Sequence, residues 1–313
     1  MSTGRTSRRV LLTGVTGFIG SHLARLLIRE GHEVFAIVRP QGNRSRIADI
    51  ESALVLIEGD LRALPALRDR IRACRPEICL HLAWKGWSGR AEAADNLTSL
   101  GVSLDLLRMM PDASCSRFVA AGTCFEYDLN YDRLAEATPL RPHELYGTCK
   151  KSLFEVAQHF SELTGVSVVT PRLFYSYGPF EEVRRLVPSV ALSLLRGEVA
   201  HVTPGEQVRD YLHVEDVASA MWHIATSDLT GAVNVASGEP VTIAELAMQI
   251  GRRLGKPELV RLGAIPYRRG EPMRILADVT VLRQRLGWVP RFDLDRGLAE
   301  TLRWWEARAA TTH

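Results

Sequence analysis

The stretch Arg9-Val-Leu-Leu-Thr-Gly-Val-Thr-Gly-Phe-Ile-Gly20 decides the reading of the chain. Val10 to Leu12 form a short apolar run, long enough for a buried parallel strand. Gly14, Gly17 and Gly20 follow at three-residue spacing. From Ser21 to Arg29 the residues Leu23, Leu26 and Leu27 recur on one helical face. Strand, glycine turn and helix, in that order, are the context a dinucleotide-binding loop requires. Gly14 allows a tight turn, Gly17 lets the backbone approach a pyrophosphate, and Gly20 lets the helix sit close to the strand. The phosphates would face the N–H groups at the helix N-terminus. The spacing is GxxGxxG rather than GxGxxG, so the flanking elements carry as much of the inference as the glycines do.

Outward from this loop, strand and helix patterns alternate. Residues 33–38, 54–57, 77–83, 117–121 and 166–170 read as the second to sixth strands, and 96–110 and 146–163 as helices. The expected fold is α/β, a Rossmann-type doubly wound parallel sheet with ligands beyond the carboxyl ends of its strands. After Arg172 the alternation fades among Gly178, Pro179, Pro188, Pro204 and Gly205. A smaller, mostly helical C-terminal substrate lobe is expected there. Residues 1–173 are assigned to the dinucleotide-binding domain, with 209–236 returning to it, and 174–208 and 237–313 to the lobe. The returning elements are 214–225 and 232–236, and a final helix runs from Leu294 to about Arg308.

Composition narrows the classes. A hydrophobic fraction of 46% and a charged fraction of 24% are those of a soluble globular protein with a sizeable core. A net charge of +3 is too small to imply nucleic acid, and Arg5, Arg8 and Arg9 read as a solvated basic tail. No apolar stretch approaches the ~20 residues of a membrane span. Cysteines at 74, 79, 115, 124 and 149 are odd in number and lack C-x-x-C spacing, which predicts free thiols in a reducing cytoplasm. No His, Cys and carboxylate cluster has zinc-ligand spacing, so no metal is expected.

Tyr146-Gly-Thr-Cys-Lys150 is the most informative short stretch after the glycine loop. Tyr and Lys at i and i+4 share one helix face. A phenol is a poor acid or base at neutral pH, and a nearby ammonium lowers its pKa. The pair can deliver or remove one proton at an alcohol or ketone oxygen. The pattern gains weight from its position, downstream of a strand that ends in Ala121-Gly-Thr123.

These features occur in the order found in the extended short-chain dehydrogenase/reductase family, in its nucleotide-sugar epimerase, dehydratase and ketoreductase group. The segment Val208-Arg-Asp-Tyr-Leu-His-Val-Glu-Asp-Val217 resembles that group's R-D-[FY]-x-H-V-x-D pattern. Gly270-Glu-Pro-Met-Arg274 and Leu286-Gly-Trp-Val-Pro290 resemble its C-terminal pattern. The likeness runs from Val10 to about Pro290. It implies catalytic roles for Thr123, Tyr146 and Lys150. It implies cofactor contacts at Gly14, Thr16, Gly17, Phe18, Ile19 and Gly20, at Asp60 and Leu61 beside an adenine, at Leu82 and Ala83, and at Tyr146 and Lys150. Substrate contacts are expected from Trp84, Cys124, Phe125 and Tyr175. Arg209 and Arg274 are assigned to a substrate diphosphate, with an ion pair from Arg209 to Asp210 or Asp216 as the alternative. His81 and Asn96 read as structural.

Two positions refine the expectation. The second strand ends in Val38-Arg39-Pro40, with no carboxylate for an adenosine ribose. Arg39 could pair with a 2′-phosphate, with Arg44 and Arg46 close behind, so NADP is favoured over NAD. Sugar-nucleotide 4,6-dehydratases commonly carry an acid/base pair just after the motif threonine, where this chain has Cys124 and Phe125. Glu126 comes one residue late, and on an extended segment it would point to the other face. The expected activity is NADPH-dependent reduction of a 4-keto sugar nucleotide by a cytoplasmic homodimer. The alternatives are a 4-epimerase holding NAD, a dehydratase, a reductase of non-sugar ketones, and a non-enzymatic dinucleotide sensor.

Overall fold

A computed structural model describes residues 7–85 and 94–310. Arg5 of the basic tail lies outside them. The first half alternates β1 (Arg9–Thr13), α1 (Phe18–Arg29), β2 (Glu33–Val38), β3 (Val55–Glu58), α2 (Arg68–Cys74), β4 (Ile78–His81), α3 (Asp95–Met109) and β5 (Arg117–Ala120). It continues through β6 (Gly122–Thr123), α4 (Leu145–Thr164) and β7 (Ser167–Leu173). The second half contains β8 (Tyr175–Tyr177), α5 (Leu186–Leu195), β9 (Ala200–His201), β10 (Val208–His213), α6 (Val214–Thr226) and β11 (Gly231–Val235). It ends with β12 (Pro240–Thr242), α7 (Ile243–Arg253), β13 (Val260–Arg261), β14 (Arg274–Ile275) and α8 (Leu294–Ala310).

The large sheet has the order β11-β7-β5-β4-β1-β2-β3, and β6 extends β5 along β7. Its ladders are parallel. Strand alternation sends neighbouring residues to opposite faces. Val10 and Leu12 join the layer containing α1, α6 and β11, while Leu11 joins the layer under α2, α3 and α4. This two-sided burial explains why the strands read as continuous apolar runs rather than alternating ones. Pro171 has no N–H to donate. The β5–β7 ladder stops at Val119–Val169 and resumes at Gly122–Arg172, across that proline.

The return to the large sheet is made by α6, which packs against α1, and by β11, which pairs with β7. Val208–His213 does not join it. β10 pairs with β8, β12 and β14 in a separate four-stranded sheet. Beyond Val241, α-helix occupies the two ends, α7 and α8, and the stretch between them holds a 3₁₀ turn at Pro257–Leu259, a π-helical turn at Val281–Arg285, β13, β14 and loops. The tail is therefore less helical than its sequence suggests, because Gly255, Gly263, Gly270 and Gly287 all adopt positive φ and interrupt it. Arg8 and Arg9 are not simply solvated: they pair with Glu77 and Glu33, and Arg9 opens β1. Among the described residues no helix is long and apolar enough to cross a membrane, and no group of three His, Cys, Asp or Glu could hold a metal ion.

Candidate active site

Gly14 turns the chain at the end of β1 with φ +75°. A Cβ there would lie 2.7 Å from the Ala83 nitrogen and 2.8 Å from the Leu82 carbonyl carbon, so the loop after β4 can pass directly against it. That loop is tied to β1 by Leu82 N to Thr13 O and Ala83 N to Thr13 Oγ1, each 3.2 Å. A Cβ on Gly20 would meet the Gly14 carbonyl oxygen, which fixes how closely α1 approaches the turn. Gly17 is the N-cap of α1, makes no side-chain cap bond, and no acidic residue stands in the first turn. The helix thus presents N–H groups and the positive end of its dipole without an internal anion to satisfy them. An uncapped helix end of this kind suits a pyrophosphate group.

At the end of β2 the side chain of Arg39 is exposed. Its charge reaches Asp60, whose carboxyl is held at about 2, chiefly by hydrogen bonds from Arg62. Asp60 caps the turn that begins at Leu61. The two other arginines of this region are committed elsewhere. Arg44 pairs with Glu51 and Glu58. Arg46 donates to the carbonyls of Phe180 and Thr16, bridging the glycine loop to the loop after β8.

The catalytic candidates converge at the carboxyl ends of β4, β5 and β6. α4 buries Tyr146, Cys149, Lys150, Leu153 and Ala157 along one face. Gly147 lets that face approach, since a Cβ there would run into the Phe125 carbonyl oxygen. Thr123 hydrogen-bonds Tyr146 through their side chains, which opposes the rise that burial imposes on the phenol. Lys150 Nζ donates to the Ala121 carbonyl at 2.6 Å, and burial brings its pKa down to about 7. Trp84 completes the group: Lys150 Nζ lies 3.9 Å from its ring centroid, and its ring meets Tyr146 edge-on at 6.3 Å. His81 is buried between Thr13 Oγ1 and Ser103 Oγ at 2.7 Å each, and burial keeps it neutral with a pKa of about 3. Both ring nitrogens are occupied, as a structural histidine requires. Asn96 is buried and accepts from Trp84 Nε1 at 2.8 Å.

Cys124 to Glu126 form a 3₁₀ turn, not the extended segment expected from sequence. Thr123 caps it, and Glu126 returns a bond to the Thr123 N–H in a capping box. Glu126 still turns away, because its second oxygen accepts from Arg172 Nε at 2.8 Å in the protein interior. Cys124 is buried, and burial pushes its thiol up to about 12. Phe125 meets Tyr175 edge-on at 6.4 Å.

Arg209 is buried and lies over the Tyr175 ring at 5.4 Å, with Nη2 2.9 Å from Glu271. It pairs with neither Asp210 nor Asp216. Asp210 instead accepts backbone and hydroxyl bonds from Ser237, Gly238 and Ala277. Asp216 accepts the N–H groups of Arg291 and Phe292. Arg274 lies on the neighbouring strand β14, opposite Val208, with its Nε reaching the Asp132 carbonyl.

Two residues at this site escaped the sequence. Arg185 lies near enough for its charge to lower the phenol pKa of Tyr146, Tyr175 and Tyr211 against burial. Glu181, four residues earlier, is buried with its carboxyl raised to about 8 by desolvation. The available signal was the charged run Glu181-Glu-Val-Arg-Arg185 immediately after Tyr177-Gly-Pro179.

A parallel dinucleotide-binding sheet with a Thr, Tyr and Lys cluster at its carboxyl end defines a class, and sequence comparison narrows it. Residues 10–236 match the NAD dependent epimerase/dehydratase family, and the chain belongs to that family. The dTDP-glucose 4,6-dehydratase of Mycolicibacterium smegmatis is 25% identical over 315 residues, covering 96% of this chain and 93% of the relative. Among solved structures, the UDP-glucose 4-epimerase of Thermotoga maritima with UDP-glucose superposes with a TM-score of 0.88 at 25% identity, covering 96% of this chain and 99% of the other. A double mutant of the dTDP-glucose 4,6-dehydratase DesIV from Streptomyces venezuelae, with NAD bound, gives 0.86 at 26% identity and coverages of 97% and 98%.

Proposed function

We propose that the chain reduces a 4-keto sugar carried on a nucleoside diphosphate, drawing on NADPH. Bound nicotinamide dinucleotide would supply the hydride. The protein's part is proton delivery and positioning. Tyr146 would protonate the sugar oxygen, Thr123 would hold that oxygen by its hydroxyl, and Lys150 would favour the phenolate left behind. Arg209 and Arg274 would meet the diphosphate by charge-assisted bonds, with Arg209 exchanging Glu271 for it. Trp84, Cys124, Phe125 and Tyr175 would line the sugar. In this reading 174–208 and 237–310 form the substrate lobe.

The observation that carries reduction over dehydration is the turn after Thr123. Elimination of water needs proton-transfer groups beyond the tyrosine. This turn offers a buried thiol pushed up to about 12, a phenyl ring, and a carboxylate committed to Arg172. NADPH is supported by the exposed Arg39 and by the lack of a carboxylate at the end of β2. A homodimer through α3 and α4 is supported by the exposed apolar side chains of Leu97, Val156 and Leu163. The buried free cysteines support a reducing, cytoplasmic setting.

The second reading is a 4-epimerase with resident NAD, which the NAD in the DesIV structure favours. Native mass spectrometry of the purified protein separates the two. A reductase should leave the column empty and bind added NADPH. Retained NAD would replace the reductase reading with the epimerase one. With a nucleotide-linked 4-keto sugar, Cys124→Ser should keep a sizeable part of its activity and yield a product two mass units heavier. Loss of eighteen units from a nucleotide-hexose, abolished in Cys124→Ser, would make the thiol an acid and refute reduction.

A further inference from the structure

We propose that Trp84 is a positioning residue for Lys150, holding its side-chain nitrogen as an ammonium against the indole face. The inference rests on the assignment of Lys150 and Tyr146 to proton transfer, and three contacts carry it. Trp84 Nε1 donates to Asn96 Oδ1 at 2.8 Å, and Asn96 is buried, so the indole is pinned in orientation. The pinned ring presents its centroid 3.9 Å from Lys150 Nζ, far closer than the Tyr146 centroid at 6.0 Å. The same indole stands edge-on to Tyr146, at an interplanar angle of 79°. One side chain therefore touches both members of the pair.

The surroundings explain why such a contact matters. Burial disfavours the charged form of Lys150, and Glu126 is the carboxylate whose charge opposes this. That carboxylate is already paired with Arg172. His81, from β4, is neutral and bonded at both nitrogens, and Tyr146 is a buried phenol. The negative face of an aromatic ring is a source of favourable potential for an ammonium so placed. Trp84 would keep Lys150 charged, and a charged Lys150 lowers the cost of ionising Tyr146.

The alternative role for an indole here is exclusion of water, and the two roles differ in sign. If Trp84 only excludes water, a smaller residue admits solvent and the lysine pKa rises. If the ring face stabilises the ammonium, its loss lowers that pKa. The chain has four lysines, Lys85, Lys150, Lys151 and Lys256, so ¹³Cε NMR titration of labelled lysine can follow Lys150 directly in the full-length protein. Lys150→Met assigns the signal. Trp84→Leu, which keeps apolar bulk, should lower the Lys150 midpoint by roughly one pH unit. Trp84→Phe, which keeps a smaller ring face, should lower it less. An unchanged or raised midpoint in Trp84→Leu overturns the proposal. If Trp84→Leu does not fold, Trp84→Phe decides alone: a lower midpoint supports the proposal, and an equal or higher one overturns it. The parent assignment fails separately, if Lys150→Met turns over at the wild-type rate.

Discussion

Glu126 and Arg172 form an ion pair closed to solvent at both ends, with side chains 0% and 1% exposed and Nε 2.8 Å from Oε2. The guanidinium is held between the rings of Tyr127 and Phe154, at 4.6 and 4.7 Å. The pair removes a carboxylate from the chemistry and anchors the turn that carries Thr123. Arg172→Met should strand a buried carboxylate and destabilise the fold by about 3–5 kcal/mol. Adding Glu126→Gln should recover part of that loss. Denaturant titration of the single and double variants measures both, and wild-type stability in Arg172→Met would deny the pair its structural role.

Tyr146→Phe keeps the ring against Trp84 and removes the proton. Turnover should fall by about two to four orders of magnitude, the scale of general acid catalysis. Cofactor affinity should stay close to wild type. Undiminished turnover in a steady-state assay would assign the proton to another group.

Arg39→Ala tests the cofactor. Removing a charge-assisted contact of roughly 1.5–3 kcal/mol should weaken NADPH binding about ten- to a hundredfold and leave NADH binding nearly unchanged. Fluorescence titration with both cofactors reads the difference. Equal losses would place Arg39 away from the 2′-phosphate.

Glu181 gives the fold a pH dependence. Desolvation raises its carboxyl from 4.5 to about 8, against the opposing charge of Arg185. The folded-state pKa stands above the unfolded one. Its stabilising contribution is therefore complete below about pH 4.5 and is lost as pH rises through about 8. Between pH 5 and 8 the wild type should lose on the order of a few kcal/mol relative to Glu181→Gln. Urea denaturation of both proteins at the two pH values checks this. Parallel curves would mean that Glu181 is ionised throughout.

What the sequence disclosed was local. The glycine loop, the strand–helix alternation and Tyr146 with Lys150 rest on spacing within one or two elements, and spacing survives in a linear text. The sequence did not disclose contacts between residues far apart in the chain. Nothing local to Glu126 announces Arg172, and nothing local to Trp84 announces Lys150. These pairings exist only once β4, β6, α4 and β7 are side by side. β10 illustrates a second limit. Its Arg-Asp-Tyr-Leu-His core mixes polar and apolar residues, so the motif could be recognised without revealing that its strand serves a different sheet.

The packing of α6 on α1 has a consequence for how the chain is made. Leu23 and Leu27 of α1 share an apolar cluster with Val217, Met221 and Ile224 of α6. Synthesis delivers α1 long before its cover, and β11 must follow α6 before β7 gains its outer neighbour. A nascent or truncated chain ending before Val214 would display the leucine stripe of α1 to solvent, a surface of the kind that chaperones and aggregation compete for. The first half of the chain thus cannot by itself bury this face of α1. Its first helix waits for the second half of the message to be translated.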